Sequence, residues 1–173
     1  ATEWQMAHQA FLAGDLPKAL KHVNFSIELN ENVCKSHVLK GRILMEQGQL
    51  DQASAAFAQA EKLDSKNADA WYYQGILAER IDRKEDALQR YLGAGELDTS
   101  NPQYAIAAAE MMMAMDRLDD AEKFLLERKT NFDHAAGIKQ TLGHIAMLRG
   151  KPEIAAPLFN EARLLAPDDS TVI

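Results

Sequence analysis

Ala19, Ala53, Ala87, Ala121 and Ala155 stand 34 residues apart along the chain, without a slip. A period of this length marks a protein built of small supersecondary units, none of which can bury its apolar face alone. Four more columns keep the register. One is small throughout: Ala7, Gly41, Gly75, Ala109 and Gly143. One is large and apolar: Val23, Phe57, Tyr91, Leu125 and Phe159. The other two are Ser26, Ala60, Ala94, Arg128, Ala162 and Leu29, Leu63, Leu97, Asn131, Leu165.

Each unit reads as two helices. Alanine, leucine, glutamate, glutamine and lysine dominate the chain, and all favour helix. A Gly or Asp near the turn ends each first helix: Gly14, Gly48, Asp82, Asp116 and Gly150. Asn101 before Pro102 forms a cap followed by a first-turn proline. Gly41, Gly75 and Gly143 let one helix approach its partner closely. Phe57, Tyr91 and Phe159 are expected to fill the layer between units.

The third unit, "AWYYQGILAERIDRKEDALQRYLGAGELD", carries Trp71, Gly75, Ala87, Tyr91 and Ala94 at its pattern positions. The fifth adds Leu142–Gly143 and Leu165–Pro167. On these residues the chain resembles the tetratricopeptide repeat family over essentially all of residues 1–173. The resemblance implies an all-α fold: a right-handed superhelical solenoid of five 34-residue helix-turn-helix repeats in one domain. Their spans would be about 1–33, 34–67, 68–101, 102–135 and 136–169. It specifies fold and leaves function to the surface residues.

The pattern has faults. Arg128 and Asn131 replace the small and leucine residues of their columns, and "ERKTNFD" is polar where an apolar turn is expected. Phe132 would serve as a substitute anchor, and looser or re-angled packing is predicted between the fourth and fifth units. Pro157 lies beyond the first turn of a helix starting near Pro152, so it should remove a hydrogen bond and bend that helix. The chain begins at Ala1 rather than Met and ends in "DDSTVI", with a capping helix due near Ser170. The ends are expected to be boundaries within a longer polypeptide. Alternatively, the bare C-terminal end mediates self-association as a homo-oligomer.

Four of the seven methionines fall in "EMMMAMD", Glu110 to Asp116. The period gives each its own neighbours. Met111 shares a column with Ile43, Leu77 and Ile145, and Met112 with Leu44, Ala78 and Ala146, so both read as core. Met115 lies at the turn. Met113 aligns with Phe11, Met45, Glu79 and Met147. The resemblance implies that first helices line an inner groove, and that this column faces it. Two further columns would do so: Trp4, Val38, Tyr72, Ile106, Gln140 and His8, Arg42, Ile76, Glu110, His144.

The sharper reading is a trough for an extended or helical peptide. Its contacts would be Trp4, His8, Phe11, Val38, Arg42, Met45, Tyr72, Ile76, Ile106, Glu110, Met113, His144 and Met147. Thioethers and aromatics suit an apolar partner, and Arg42 and Glu110 would set its register. The plainer reading is that these columns cement neighbouring first helices. Some relatives grip a C-terminal carboxylate through Lys and Asn in two of these columns. Neither column holds the required residue here, which argues against that chemistry.

The formal charge of −7 argues against a nucleic-acid partner. No apolar run approaches the length of a membrane span. The single Cys34 leaves the compartment open, with the cytoplasm favoured over the periplasm. Its nearest activating partner in sequence is His37. His8, His22, His37, His134 and His144 lack the tight spacing of a two-histidine metal site. "GHIAMLRGK" lacks the spacing and the Ser or Thr of a phosphate loop. "NFS" at Asn24–Ser26 matches a glycosylation acceptor, but Ser26 falls in a core column. The pairs Asp119–Asp120 and Asp168–Asp169 sit at helix starts, where the dipole favours carboxylates.

The expectation is a non-enzymatic scaffold that binds a protein or peptide segment without metal or cofactor. The alternatives are a self-assembling structural element, or a regulatory arm of a larger enzyme or of an envelope or secretion machine. Short polar turns fit a bacterial protein.

Overall fold

A computed structural model of the chain describes residues 2–128, 132 and 134–166. Among these residues the regular structure is ten α-helices and no strand. They fall into two compact units, Ala1–Leu97 and Asp98–Ile173. The first holds three helix pairs: α1 (Glu3–Leu12) with α2 (Leu16–Leu29), α3 (Cys34–Glu46) with α4 (Leu50–Leu63), and α5 (Ala68–Arg80) with α6 (Lys84–Leu97). The second holds two: α7 (Pro102–Ala114) with α8 (Leu118–Arg128), and α9 (Ala136–Leu148) with α10 (Pro152–Leu165).

Every first helix stops in the same way. Gly14, Gly48, Asp82, Asp116 and Gly150 all take left-handed backbone, with φ of 77°, 75°, 58°, 60° and 68°. This conformation lets the next amide reach back over the helix end. Asp15, Gln49, Arg83, Arg117 and Lys151 donate to the carbonyls of Ala10, Leu44, Ala78, Met112 and Ala146, at 2.8–2.9 Å. These are the long-range bonds of a Schellman stop, and they satisfy carbonyls that a helix end otherwise leaves bare. Starts are capped as well. Thr2 and Gln5 form a capping box, Asn67 accepts from Ala70, and Asn101 accepts from Gln103 ahead of Pro102.

Packing within a pair rests on one device. An alanine Cβ built on Gly41 would lie 2.5 Å from the Phe57 ring; on Gly75, 2.5 Å from Tyr91; on Gly143, 2.7 Å from Phe159. Each ring therefore lies over the glycine of its own pair. This corrects the expectation that Phe57, Tyr91 and Phe159 simply fill the layer between units, because their first contact is within the pair. Phe57 also reaches the following pair, where its ring stacks with Tyr73 at 6.3 Å. Where the first-helix residue is Ala7 or Ala109, the facing column holds the smaller Val23 or Leu125, and all four are fully buried. The column Ala19, Ala53, Ala87, Ala121 and Ala155 is buried throughout. Met111 and Met112 are buried as core.

The leucine column differs from its regular appearance. Leu29 is 67% exposed, Leu97 and Leu165 are also exposed, and Leu63 is half-buried. These residues sit at helix C-termini, where the chain leaves the packed layer.

α8 is described over Leu118–Arg128. The Arg128 guanidinium turns back onto its own helix, 3.8 Å from the Phe124 ring centroid. In this unit α9 leans on α7 more than on α8, whereas α3 leans mainly on α2 and little on α1. Phe132 is half-buried and its carbonyl accepts from Ala135. Pro157 lies inside α10, which continues to Leu165. Asn131, Pro167, Asp168, Asp169 and Ser170 lie outside the described residues.

Two stability tests follow from this packing. Gly41→Ala should cost about 1–3 kcal/mol through overpacking, and Phe57→Leu roughly 1–2 kcal/mol through a lost contact. Together they should cost less than the sum by about 1 kcal/mol or more, since the smaller side chain makes room for the new methyl. Urea titration of the four chains measures this coupling, and strict additivity would contradict the shared-hole account. Gly48 has open space around its Cβ direction. Gly48→Ala should therefore lose only about 1 kcal/mol, all of it backbone strain, read as a shift in the urea midpoint.

Candidate functional site

In the unit Ala1–Leu97, the first-helix face is organised by stacked rings and cations. Trp4 on α1 donates from Nε1 to the Lys35 carbonyl at 3.3 Å, and Lys35 Nζ lies 4.6 Å from the Trp4 ring centroid. His8, one turn further along α1, stacks on Trp4 at 5.1 Å. Arg42 on α3 is held between two aromatic faces, 4.8 Å from Phe11 and 4.5 Å from Tyr73. Tyr73 on α5 meets Tyr72 edge-on at 5.3 Å, and Tyr72 lies 5.6 Å from Tyr91. Each cation–ring contact adds directional attraction to the burial of the rings. Burial pushes the Tyr73 phenol up, and the neighbouring Arg42 charge opposes that shift.

These side chains surround a small cleft of about 80 Å³, lined by Trp4, Lys35, Val38, Arg42, Asp69 and Tyr73 among others. Trp4, Val38 and Arg42 belong to the sequence-predicted set. Lys35, Asp69 and Tyr73 were missed. Tyr73 shares a column with the buried Leu39, Ala107 and Thr141 and the exposed Gln5, and the sequence reading assigned it no role. The overlooked signal was an outsized, amphipathic residue in a column of smaller ones.

The other predicted residues of this unit divide. Val38 is 7% exposed and Met45 3% exposed, so both form the packed floor. Met45 supplies its backbone instead: Arg80 donates to its carbonyl at 3.0 Å and to Glu46 at 2.5 Å. Phe11, Tyr72 and Ile76 are half-buried.

In the unit Asp98–Ile173, Ile106 acts as cement. A Cβ on Gly137 of α9 would lie 2.6 Å from Ile106 Cδ1, so the glycine admits the isoleucine between α7 and α9. Met113 is half-buried, Glu110 and His144 are exposed, and Met147 is 51% exposed. His144 lies 5.2 Å from the Phe159 ring.

The remaining reactive groups are engaged structurally. Cys34 donates to the Ala60 carbonyl at 3.4 Å. Burial, then the Asp64 and Asp69 carboxylates, push its thiol up, away from the thiolate a nucleophile needs. His37 is buried and donates from Nε2 to the Glu31 carbonyl at 2.7 Å. Asn24 lies inside α2 with its Oδ1 buried. Among the described residues no group of three or more His, Cys, Asp or Glu is placed to hold a metal ion. No helix among them is long and apolar enough to cross a membrane.

Comparison with known proteins follows the same lines. The family described as "Tetratricopeptide repeat" matches residues 38–102. No curated protein sequence matches the chain. Among solved structures, MamA is similar over 96% of this chain and 97% of its own, at 18% identity and a TM-score of 0.74. PilF of Pseudomonas aeruginosa is similar over 98% of this chain and 78% of its own, at 14% identity and a TM-score of 0.82. YrrB, described as a TPR protein with an unusual peptide-binding site, is similar over 98% and 88%, at 17% identity and a TM-score of 0.67. At these identities the likeness is one of fold.

The stacked cation has a measurable weight. Arg42→Met keeps an apolar stem and removes the charge between the two rings. It should destabilise the chain by about 1–2 kcal/mol, and the loss should shrink when Tyr73 is already Leu. Independent effects of the two changes would separate Arg42 from Tyr73. Cys34, for its part, should react with iodoacetamide at pH 8 more slowly than a free cysteine, and reach that rate in denaturant.

Proposed function

Because residues 38–102 match the tetratricopeptide repeat family and the fold is similar to MamA and PilF, we propose that the chain is a non-enzymatic scaffold whose first-helix face within Ala1–Leu97 binds a protein segment. The fold itself is a protein-interaction scaffold in general terms. The finer assignment rests on one observation: the stacked array of Trp4, Arg42 and Tyr73 around an open cleft. Rings and a guanidinium held by one another lose little further freedom when a ligand arrives, so less of the contact energy goes into ordering the site. Aromatic and arginine side chains are also the types that carry binding energy at interfaces. Val38 and Met45 support this face from beneath. The description of YrrB as peptide-binding is consistent with this use of the fold.

The ligand chemistry follows from the lining. Lys35 and Arg42 bring positive charge to an otherwise aromatic cleft, with Asp69 at one side. A segment that inserts an apolar side chain and places a carboxylate beside Lys35 fits this arrangement.

The test is a selection of random displayed peptides on the whole chain, followed by anisotropy titration of the recovered sequences. Trp4→Ala combined with Tyr72→Glu should weaken the selected peptides about tenfold or more, equal to roughly 1.4 kcal/mol or more. Helical content should be unchanged. Peptides that bind the double variant as well as the parent would defeat this assignment.

A further inference from the structure

The repeat supplies its own control for a second surface, on the side of the second helices. In the unit Ala1–Leu97 a groove of about 420 Å³ runs between α4 and α6 over α5. In the unit Asp98–Ile173 a groove of about 440 Å³ runs between α8 and α10 over α9. The two are the same place in the repeat, since the lining positions differ by two periods of 34 residues. Their chemistry is opposite. Ala58, Gln74, Asp86 and Arg90 line the first. At the matching positions of the second stand Leu126, Leu142, Ile154 and Leu158.

The first groove satisfies itself. Arg90 bridges to Glu61 at 3.1 Å, and Gln74 donates to the same carboxylate at 3.0 Å. In the second, among the described residues, the matching positions Leu142 and Leu158 offer no polar group in place of Gln74 and Arg90. This groove leaves Leu126 51% exposed and Ile154 46% exposed. Core packing does not require these side chains, because the equivalent pair does without them. Exposed apolar side chains that meet in one groove mark a contact surface.

The rim selects the occupant. Glu122, Glu153 and Glu161 line the groove, and Glu127 lines the adjoining hollow. Arg149 is shared between Asp119 and Glu122, and Lys139 pairs with Glu161 at 2.5 Å. Among the described residues that line the two hollows, the carboxylates Asp119, Glu122, Glu127, Glu153 and Glu161 outnumber the cations Lys123 and Arg149. A second copy of this chain, itself at −7, would bring like charge to the same edge. We propose that the α8–α9–α10 groove is a docking site for a partner segment that is apolar on one face and basic at its flanks. A short amphipathic helix with leucine-like anchors has that form. This surface is distinct from the first-helix cleft of the other unit, so either stands without the other.

The test uses three synthetic helical peptides with the full chain. Two have the same leucine face, flanked by lysines in one and by glutamates in the other; the third has the lysine-flanked composition scrambled. Binding is read by anisotropy at low salt, and self-association by sedimentation. The groove variant is Leu126→Ala with Ile154→Asp, which installs the residues found at the matching positions of the polar groove. The lysine-flanked peptide should bind the parent about tenfold or more tightly than the other two, and the variant about tenfold or more weakly. The converse graft, Ala58→Leu with Asp86→Ile, should gain binding. Sedimentation should show no self-association that the groove variant removes. Unfolding of the variant, followed by circular dichroism, should stay close to the parent, so that lost binding is lost contact. Equal binding of lysine- and glutamate-flanked peptides overturns the proposal, as does binding unaffected by the groove variant. A dimer of the parent that the variant dissolves also overturns it, by naming a second copy as the occupant.

Discussion

The close approach of the two helices in each pair is the constraint from which the other features follow. Helix axes come close only where one surface is cut away and the other fills the gap. Here the cut is Gly41, Gly75 or Gly143 and the filler is Phe57, Tyr91 or Phe159. Where the filler is smaller, at Val23 and Leu125, the opposing residue keeps a methyl as Ala7 and Ala109. Bulk is therefore shared within each pair, and substitution on one helix is felt on the other. The left-handed stops at the same repeat position fix where each second helix begins. Given those two conditions, the faces of every first and second helix are assigned before any surface residue is considered.

That assignment explains why the fold was legible in the sequence and the site was legible only in part. The alanine column, the Gly/aromatic pairs and the Gly or Asp stops recur because each obeys the same local geometry in every pair. Periodicity exposes such constraints directly. The inner columns were harder. Met45 shares a column with the exposed Glu79 and Met147, yet is buried, and Ile106 is taken up against Gly137 of α9. A column gives the direction in which a side chain leaves its helix. Whether another helix stands in that direction depends on the packing of successive pairs, which varies along this chain.

Tyr73 shows the complementary case. Leu39, Ala107 and Thr141 of its column are buried, while Gln5 is exposed. Its ring is too long to be swallowed in the core. One face stacks near Phe57 and another receives Arg42, so a core position extends into the cleft. The same side chain serves packing and surface chemistry at once. The contacts that join α1, α3 and α5 also fix the geometry of the cleft beside them.

Divergence among repeats then becomes informative in a way that a single domain does not allow. The pairs share backbone geometry at each turn and a common buried alanine column, so differences at matching outer positions are not forced by the fold. The α4–α5–α6 groove closes its polar groups on one another through Glu61, Gln74 and Arg90. At the same positions the α8–α9–α10 groove carries branched aliphatic side chains, of which Leu126 and Ile154 are about half open to water while Leu142 is buried. Both forms pack onto the same kind of core, so neither is needed to stabilise it. Leaving apolar surface in water is unfavourable at about 25 cal/mol per Å². A chain that tolerates this in one groove, and avoids it in the equivalent one, has a surface whose form is set by something outside its own packing.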